Sequence, residues 1–278
     1  MATPEGSVYV TIDGFPLSTP GWRVTDHSSL FDTPDLIGGD LAVPYRRGVL
    51  PFRRIAGSKT VELPFIVFGK ADGDGAPAVD QAAQMWANRA SILTAIGPLH
   101  IATATGDRMI TFHAPDGVTY SGPGKVVGRI DPRHMTPHAL KGSIILQLSE
   151  GGLRADSTVN VTSASAPAGG SVDLVVPNPG TMWQDSATLT LTGTATQVLL
   201  TNLTDGPTLA FGGNLTGGVV IDTGAWTAVR NGTVDVVGLV THSGHPRWMP
   251  LRVGNTTLRV APTGGTATLN VVHYPFYA

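Results

Sequence analysis

The sequence contains no cysteine among its 278 residues, which excludes disulfide bonds and thiolate metal sites. Charged side chains make up only 14% of the chain and the formal net charge is −2, so no basic field is present to recruit nucleic acid or an anionic membrane. No apolar run approaches the ~20 residues that a membrane-spanning helix needs. The opening residues also lack the pattern of a secretion signal, and we expect a protein that is made in a cytoplasm.

Glycine, proline and apolar residues are what the sequence has instead. It carries 35 Gly and 21 Pro, and 41% of its residues are hydrophobic. This balance is typical of short strands joined by tight turns around a sizeable core. The length favours two domains, and we expect the fold to be mainly β.

One segment, about 79–96, predicts a helix. Asp80 is placed to cap its N-terminus, and Gly97-Pro98 ends it. Its apolar residues recur at three- and four-residue steps, and they are Val79, Ala82, Ala83, Trp86, Ala90, Leu93 and Ile96. We expect this stripe to lie on a sheet, with Trp86 filling the core.

Alternating apolar and polar residues predict strands on both sides of this helix. Residues 8–12 with the turn Asp13-Gly14 predict an opening hairpin, and residues 60–68 predict a strong strand. Further strands are expected near 99–102, 109–113, 125–130 and 140–148. We expect residues 1–155 to form a β domain with a single helix packed on its sheet.

The second half of the chain carries only strand patterns. Residues 156–170 are rich in Gly, Ser and Ala and predict a linker. Residues 171–278 have the strand spacing of an antiparallel β-sandwich, and Asn231-Gly232 predicts a type I′ turn within it. We expect Trp226 and Trp248 to anchor the core of this sandwich, because large aromatic residues usually supply core area.

Patterns that would indicate catalysis or metal binding are weak. His134 and His138 have the spacing of metal ligands on a helix, but Pro132 and Pro137 argue against a helix there. The acidic stretch 70–80 lacks the Glu that completes a calcium loop. We therefore expect a protein that is not an enzyme and that has no metal site, no cofactor and no catalytic residues.

A surface for self-association is the more specific expectation. The irregular segment 44–54 mixes large apolar side chains with arginines, and such a loop either folds onto its own domain or is covered by a neighbouring subunit. The strand 60–68 has apolar residues on both faces. In the second alternative, the apolar groups pack on the neighbour while the arginines pair with its carboxylates. The candidate subunit interface comprises Tyr45, Arg46, Arg47, Leu50, Phe52, Arg53, Arg54, Ile66 and Phe68.

Several short segments, taken in order, resemble the distal tail proteins of long, flexible-tailed bacteriophages, especially those infecting actinobacteria. None of these segments is a chemical signature by itself, and the resemblance rests on their order through most of the chain. They are 8–14 (VYVTIDG), 21–24 (GWRV), 41–48 (LAVPYRRG), 60–69 (TVELPFIVFG), the helix 83–93 with Asn88-Arg89, 221–224 (IDTG), 230–232 (RNG), 248–251 (WMPL) and 254–258 (GNTTL).

The resemblance implies a structural role in a virion. Proteins of this family have an N-terminal β domain with one helix that assembles as a six-membered ring, and a C-terminal galectin-like sandwich around the outside. The ring joins the tail tube above to the tip or hub protein below, and it leaves a channel through which DNA passes without specific binding. The resemblance therefore implies a homo-oligomer at the tail tip. Some members carry an inserted carbohydrate-binding module, for which this chain is too short.

The alternative is a carbohydrate-binding protein used in host-surface recognition. Its sandwich would hold sugar on an aromatic platform made of Trp226, Trp248 and Tyr274. These rings would then be exposed and flanked by polar side chains, whereas a role in the core requires them to be buried. A hydrolase is the least favoured function, because no nucleophile and base stand in a recognisable frame.

Overall fold

The computed structural model describes residues 9–31, 36–37, 41–42, 49–50, 55–56, 58–70, 77–96, 107–127, 130, 132–244 and 248–277. Within these residues the chain is mainly β with one α-helix. The chain divides into two compact units, with the boundary between Asp156 and Ser157. Each unit has its own hydrophobic core. The expected fold class, a β domain with one packed helix followed by an antiparallel sandwich, is confirmed.

In its described residues, the first unit contains one α-helix, α1 (Gln81–Ile96), and strands β1 to β13. These strands are β1 (Tyr9–Ile12), β2 (Phe15–Pro16), β3 (Trp22–Val24), β4 (Leu36–Ile37), β5 (Leu41–Ala42), β6 (Val49–Leu50), β7 (Ile55–Ala56), β8 (Lys59–Phe68), β9 (Arg108–His113), β10 (Thr119–Val126), β11 (Arg133–Thr136), β12 (Ala139–Leu148) and β13 (Leu153–Ala155). A short 3-10 helix spans Ser28–Phe31. The predicted strand at 99–102 lies outside the described residues.

The main sheet of this unit is antiparallel and runs β2-β1-β9-β10-β12-β8-β3, with β11 beside β12 and β13 beside β10. Leu17 donates its N–H to Val10 O at 2.8 Å and accepts the N–H of Val24 at 3.2 Å. Leu17 directly follows β2, the first strand in this order, and its bonds therefore connect that end to β3 at the opposite end. These bonds join the two ends of the strand order, so the described strands curl round into a barrel.

The alternation of apolar residues decides which side chains fill this barrel. Four apolar residues of β8, at positions 61, 63, 65 and 67, are 0–1% exposed, whereas the intervening side chains face outward. The opening hairpin turns at Asp13 and Gly14, whose φ angles of 50° and 79° are those of a type I′ turn. Both features agree with the sequence-based prediction.

Helix α1 lies across the end of the barrel. Asp80 caps it by accepting the N–H of Ala83 at 3.0 Å, as predicted. In its first half, Asn88 Nδ2 donates to Phe68 O at 2.8 Å and to Lys70 O at 2.9 Å. Near its end, Ala95 O accepts from the Arg108 guanidinium, at the start of β9, at 3.0 Å. The helix is thus hydrogen-bonded to strands on two sides of the barrel mouth.

The predicted buried face of α1 is wrong. Met85, Ile92 and Ile96 point into the barrel core, whereas Trp86 is 47% exposed. Of the predicted stripe, Ile96 is buried, and Ala82 and Leu93 are partly buried. Its other members, Val79, Ala83 and Ala90, are exposed like Trp86. The helix is rich in alanine, so two apolar faces overlap and spacing alone does not choose between them. Asn88 determines which face is buried, because its amide reaches the carbonyls at the end of β8 only when Met85 and Ile92 face inward.

The second unit is built from strands β14 to β25, and a 3-10 helix spans Val237–Leu239. The strands are β14 (Val159–Thr162), β15 (Val172–Asn178), β16 (Ala187–Gly193), β17 (Gln197–Asn202), β18 (Thr208–Phe211), β19 (Val219–Asp222), β20 (Thr227–Arg230), β21 (Val234–Asp235), β22 (Val240–Ser243), β23 (Gly254–Thr263), β24 (Ala267–His273) and β25 (Phe276–Tyr277).

Two antiparallel sheets form the sandwich. One has six strands in the order β14-β24-β16-β19-β20-β21, and the other has five in the order β15-β23-β17-β18-β22. Apolar residues from both sheets share one core. The turn Asn231-Gly232 has φ angles of 53° and 73°, so the predicted type I′ turn is confirmed. The segment predicted as a linker, 156–170, contains β14, which pairs with β24 and belongs to the sandwich.

The two predicted aromatic anchors of this core behave differently. Trp248 is 6% exposed and packs in the core as expected, whereas Trp226 is 46% exposed, so its predicted burial is wrong. Trp226 lies in the turn before β20 rather than in the strand, and its φ of 59° directs the chain away from the pleat. Ala228 occupies the core position that the sequence pattern assigned to the tryptophan.

A buried histidine makes the stability of the sandwich depend on pH. His273 in β24 is 1% exposed, and its Nε2–H donates to Pro177 O at 2.9 Å. Its Nδ1 is buried and has no hydrogen-bond partner in the part of the chain that the structure describes. Burial lowers the pKa of His273, because the imidazolium would lose its hydration. Above about pH 6.5, the ordinary pKa of histidine, the contribution of His273 to the free energy of unfolding is fully present. This contribution is lost as the pH falls from there through the lower pKa of the folded state.

We expect His273→Gln to reduce the loss of stability on acidification from about pH 7.5 to about pH 5.5. Glutamine still offers an N–H toward Pro177 O but does not titrate. Urea denaturation followed by hydrogen exchange of peptides from the second unit measures the effect. The matched control is His242→Gln at an exposed position, which should retain the wild-type dependence. If the stability of His273→Gln falls on acidification as much as that of the wild type, another group causes the acid sensitivity.

Candidate assembly and binding surfaces

Most of the predicted interface loop lies outside the described residues. This holds for Tyr45, Arg46, Arg47, Phe52, Arg53 and Arg54. Leu50 belongs to β6, where it pairs with Leu41 of β5 in a two-stranded ribbon. The contact of this loop with its own domain or with a neighbour therefore stays a prediction.

Ile66 and Phe68, the other two predicted interface residues, lie on the outer face of β8 and are partly exposed. Arg23 of β3 and Lys141 of β12 stand directly opposite Ile66 on either side, and opposite residues share a face of the sheet. The Arg23 guanidinium also lies 5.6 Å from the centre of the Phe68 ring. The surface combines apolar and cationic groups, the mixture that the sequence predicted for the loop.

The outward side of α1 presents a second apolar surface in the first unit. It is formed by Val79, Ala83, Trp86 and Ala90, which we call the α1 outer stripe. Val79 is fully exposed and Trp86 is half exposed. A stripe of this kind on a surface helix is typical of a face that is covered by another molecule.

Arg89 and His134 border Trp86. The Arg89 guanidinium lies 5.3 Å from the centre of its ring, and the His134 ring meets it edge-on at 5.5 Å. The Nε of Arg89 is buried and has no hydrogen-bond partner among the described residues. His134 is on β11, so the surface around Trp86 extends from the helix onto the β11–β12 hairpin.

The second unit carries a cluster of three rings. Trp226 lies 5.7 Å from Trp248 and 6.1 Å from His242, and the Trp248 and His242 rings are 6.3 Å apart. Tyr274 is 45% exposed but makes no ring contact with this cluster in the described part of the chain. The structure therefore brings together two of the three residues of the predicted platform and leaves the third apart.

The motifs weighed for metal binding occupy ordinary positions. His134 and His138 are exposed in the β11–β12 hairpin, and Asp80 is the helix cap. Within the described residues no group of three or more His, Asp or Glu is arranged to hold a metal ion. In the same residues, no helix is both long and apolar enough to span a membrane.

No protein-family model matches this sequence, and no curated protein matches it. A solved structure does: the crystal structure of the SPP1 Dit (gp 19.1) protein, a paradigm of the hub adsorption apparatus in phages that infect Gram-positive bacteria. The match covers 96% of this chain and 99% of the SPP1 protein, with a TM-score of 0.53 and 15% sequence identity.

The chain has a Dit-like fold. The match spans both compact units, so it concerns the barrel with its helix as well as the sandwich. At 15% identity the likeness shows the fold alone. The resemblance inferred from the ordered sequence segments therefore holds at the level of fold.

Sequence reasoning missed two residues that shape these surfaces of the Dit-like fold. Asn88 orients α1, and a signal for this was available, because a polar residue stands between the apolar positions Met85 and Ile92 on one helix face. His242 joins the ring cluster from another strand. No local pattern indicated that contact, because it depends on how the two sheets of the sandwich meet.

Proposed function

We propose that this protein is a structural component of a phage tail tip, a distal tail protein that assembles as a ring, with six copies as in the family it resembles. The ring would join the tail tube to the tip hub and leave a channel for DNA. The proposal places the protein in the virion and involves no catalytic step.

The observation that carries the proposal is the Dit-like fold over the whole chain. A match covering 96% of the chain includes both units in the order expected for a distal tail protein. The SPP1 protein is described as part of a hub adsorption apparatus, and we extend that role to this chain. The ordered sequence segments that resemble distal tail proteins support the same conclusion.

Self-association needs an apolar surface that stays uncovered in the single chain, and the α1 outer stripe has this property. Trp86 supplies a large, rigid aromatic group, the Arg89 guanidinium places a positive charge beside it, and the His134 ring meets it edge-on. Aromatic and arginine side chains are those on which protein interfaces depend most. We propose that the outer stripe, together with Ile66 and Phe68, contacts the neighbouring subunits of the ring.

Trp86→Glu is expected to disrupt the ring while leaving the subunit folded. A carboxylate at this position would be buried in the contact without its hydration, whereas in the free subunit it would stand in water. Mass photometry across a dilution series measures the effect, and we expect the apparent dissociation constant of the ring to rise at least about 100-fold.

Ser91→Glu is the matched control, because it adds the same charge to an exposed position on the other flank of α1. This variant should form rings like the wild type. Intact rings for Trp86→Glu would remove the α1 outer stripe from the interface. If the wild type itself forms no ring, the proposed function fails as well.

A further inference from the structure

The cluster of Trp226, His242 and Trp248 has the form of a ligand platform. Trp248 is almost completely buried and supports the other two rings from below, while Trp226 and His242 are exposed. The planes of the two tryptophans differ by 35°, so the exposed ring leans on the buried one. An exposed tryptophan that is fixed in this way presents a rigid apolar face to solvent.

Backbone strain is concentrated at this cluster. Four non-glycine residues in the described part of the chain have positive φ angles. Two of them, Asp13 and Asn231, occupy turn positions that suit Asp and Asn. The other two are Trp226 at 59° and Met249, next to Trp248, at 44°. Large side chains rarely adopt this conformation, which costs about 1–3 kcal/mol, and such residues gather at functional sites.

The turn that carries Trp226 is held firmly. Asp222 Oδ1 accepts the N–H groups of Gly224 at 2.9 Å and Ala225 at 2.8 Å. The Thr223 hydroxyl accepts the N–H of Ala187 at 2.8 Å and is buried. These bonds fix the turn up to Trp226, and the pairing of Thr227 with Asp222 fixes the residue after it, so the ring is preorganised for a ligand.

The platform lies at an open edge of the sandwich. His242 stands opposite the buried Leu209, so its side chain lies on the inner face of the five-stranded sheet. It is nevertheless exposed, because β22 is the last strand of that sheet. Trp226 enters from the six-stranded sheet. The exposed ring and the imidazole therefore meet at the rim of the interior and not on a flat outer face.

We propose that this platform is a binding site for a pyranose sugar of a surface polysaccharide, which goes beyond the assembly role. The apolar C–H face of a pyranose stacks on the exposed Trp226 ring, and a ring hydroxyl hydrogen-bonds the His242 imidazole. Two exposed rings match one or two sugar units, and they are far smaller than the roughly 800 Å² per partner that a protein–protein interface buries.

The test uses the full-length protein and two variants on a printed array of bacterial polysaccharides and simple pyranosides, followed by calorimetric titration of the retained glycans. Trp226→Gly removes the ring but suits the positive φ, so the turn should keep its shape. We expect the wild type to retain a hexose-containing glycan and Trp226→Gly to bind it at least about tenfold more weakly. Tyr274→Ala, which changes an exposed ring outside the cluster, should bind like the wild type.

The proposal is overturned if the wild type retains no glycan or if Trp226→Gly binds as tightly as the wild type. It is also overturned if the wild type binds a tail protein but no glycan, and Trp226→Gly no longer binds that tail protein. The platform would then bind a protein partner. Ring formation is measured separately with the Trp86→Glu variant. Failure of the sugar site therefore leaves the assembly proposal standing.

Discussion

Asn88→Asp is expected to lower the free energy of unfolding of the first unit by about 3–5 kcal/mol. Asn88 is 4% exposed, and its Nδ2 donates to two backbone carbonyls at the end of β8, Phe68 O and Lys70 O. The substitution keeps the shape of the side chain but places a carboxylate oxygen against those carbonyls. Both donated hydrogen bonds are lost, and a charge is left in a site that water hardly reaches.

Urea denaturation with hydrogen exchange of peptides from each unit measures this effect. Asn88→Ala separates the cost of the lost hydrogen bonds from the cost of the buried charge, because it removes the same bonds without adding a charge. It should lower the free energy of unfolding by about 2 kcal/mol. Gln84→Ala removes only the bond that Asn88 Oδ1 accepts and should cost less than about 1 kcal/mol. If Asn88→Asp costs no more than Gln84→Ala, the amide does not fasten α1 to the barrel.

Phe65→Ala is expected to cost the first unit about 3–5 kcal/mol. Phe65 is 1% exposed in the middle of β8, and its ring lies over Gly142, its partner on β12. A Cβ built at Gly142 would stand 3.1 Å from the ring, so no side chain on β12 is available to fill the space. Removal of the ring therefore leaves a cavity in addition to the lost burial.

The control is Ile66→Ala, the next residue in the same strand, whose side chain faces outward and is partly exposed. It should cost about 1 kcal/mol, because less apolar surface returns to water and no cavity forms. Equal costs for the two variants would mean that the barrel interior is not filled by the alternate residues of β8.

Strands with a clear period of two were predictable from the sequence. In β8, four apolar residues two apart face the core and a glutamate lies between them, so one residue of slip would expose every one of those four. Turns were predictable for a different reason. Asp13-Gly14 and Asn231-Gly232 adopt the positive φ angles that few other residue pairs tolerate.

The errors occur where more than one arrangement satisfies the same local pattern. The Ala-rich helix α1 has two apolar faces, and the bonds from Asn88 to β8, a contact distant in sequence, decide which of them is buried. Trp226 stands one residue before β20, so its burial depends on a turn conformation that spacing does not reveal. Segment 156–170 has a linker-like composition, but its short alternation at β14 is stabilised by pairing with β24.

The candidate surfaces were less predictable than the fold for a related reason. The apolar residues of the α1 outer stripe were identified as a set, but they were assigned to the core, because apolar periodicity does not distinguish a buried face from a face that another chain covers. The ring cluster joins residues from two sheets. Trp226 and Trp248 were candidates because of their chemistry, whereas His242 enters only through the tertiary fold.

The most direct test of the proposed assembly role is the oligomeric state of the purified full-length protein, measured by native mass spectrometry and viewed by negative-stain electron microscopy. The expected result is a particle with six times the 28.9 kDa mass of the chain, seen as a ring with a central hole. A particle that remains a 28.9 kDa monomer at every concentration, with no ring in the images, would contradict it.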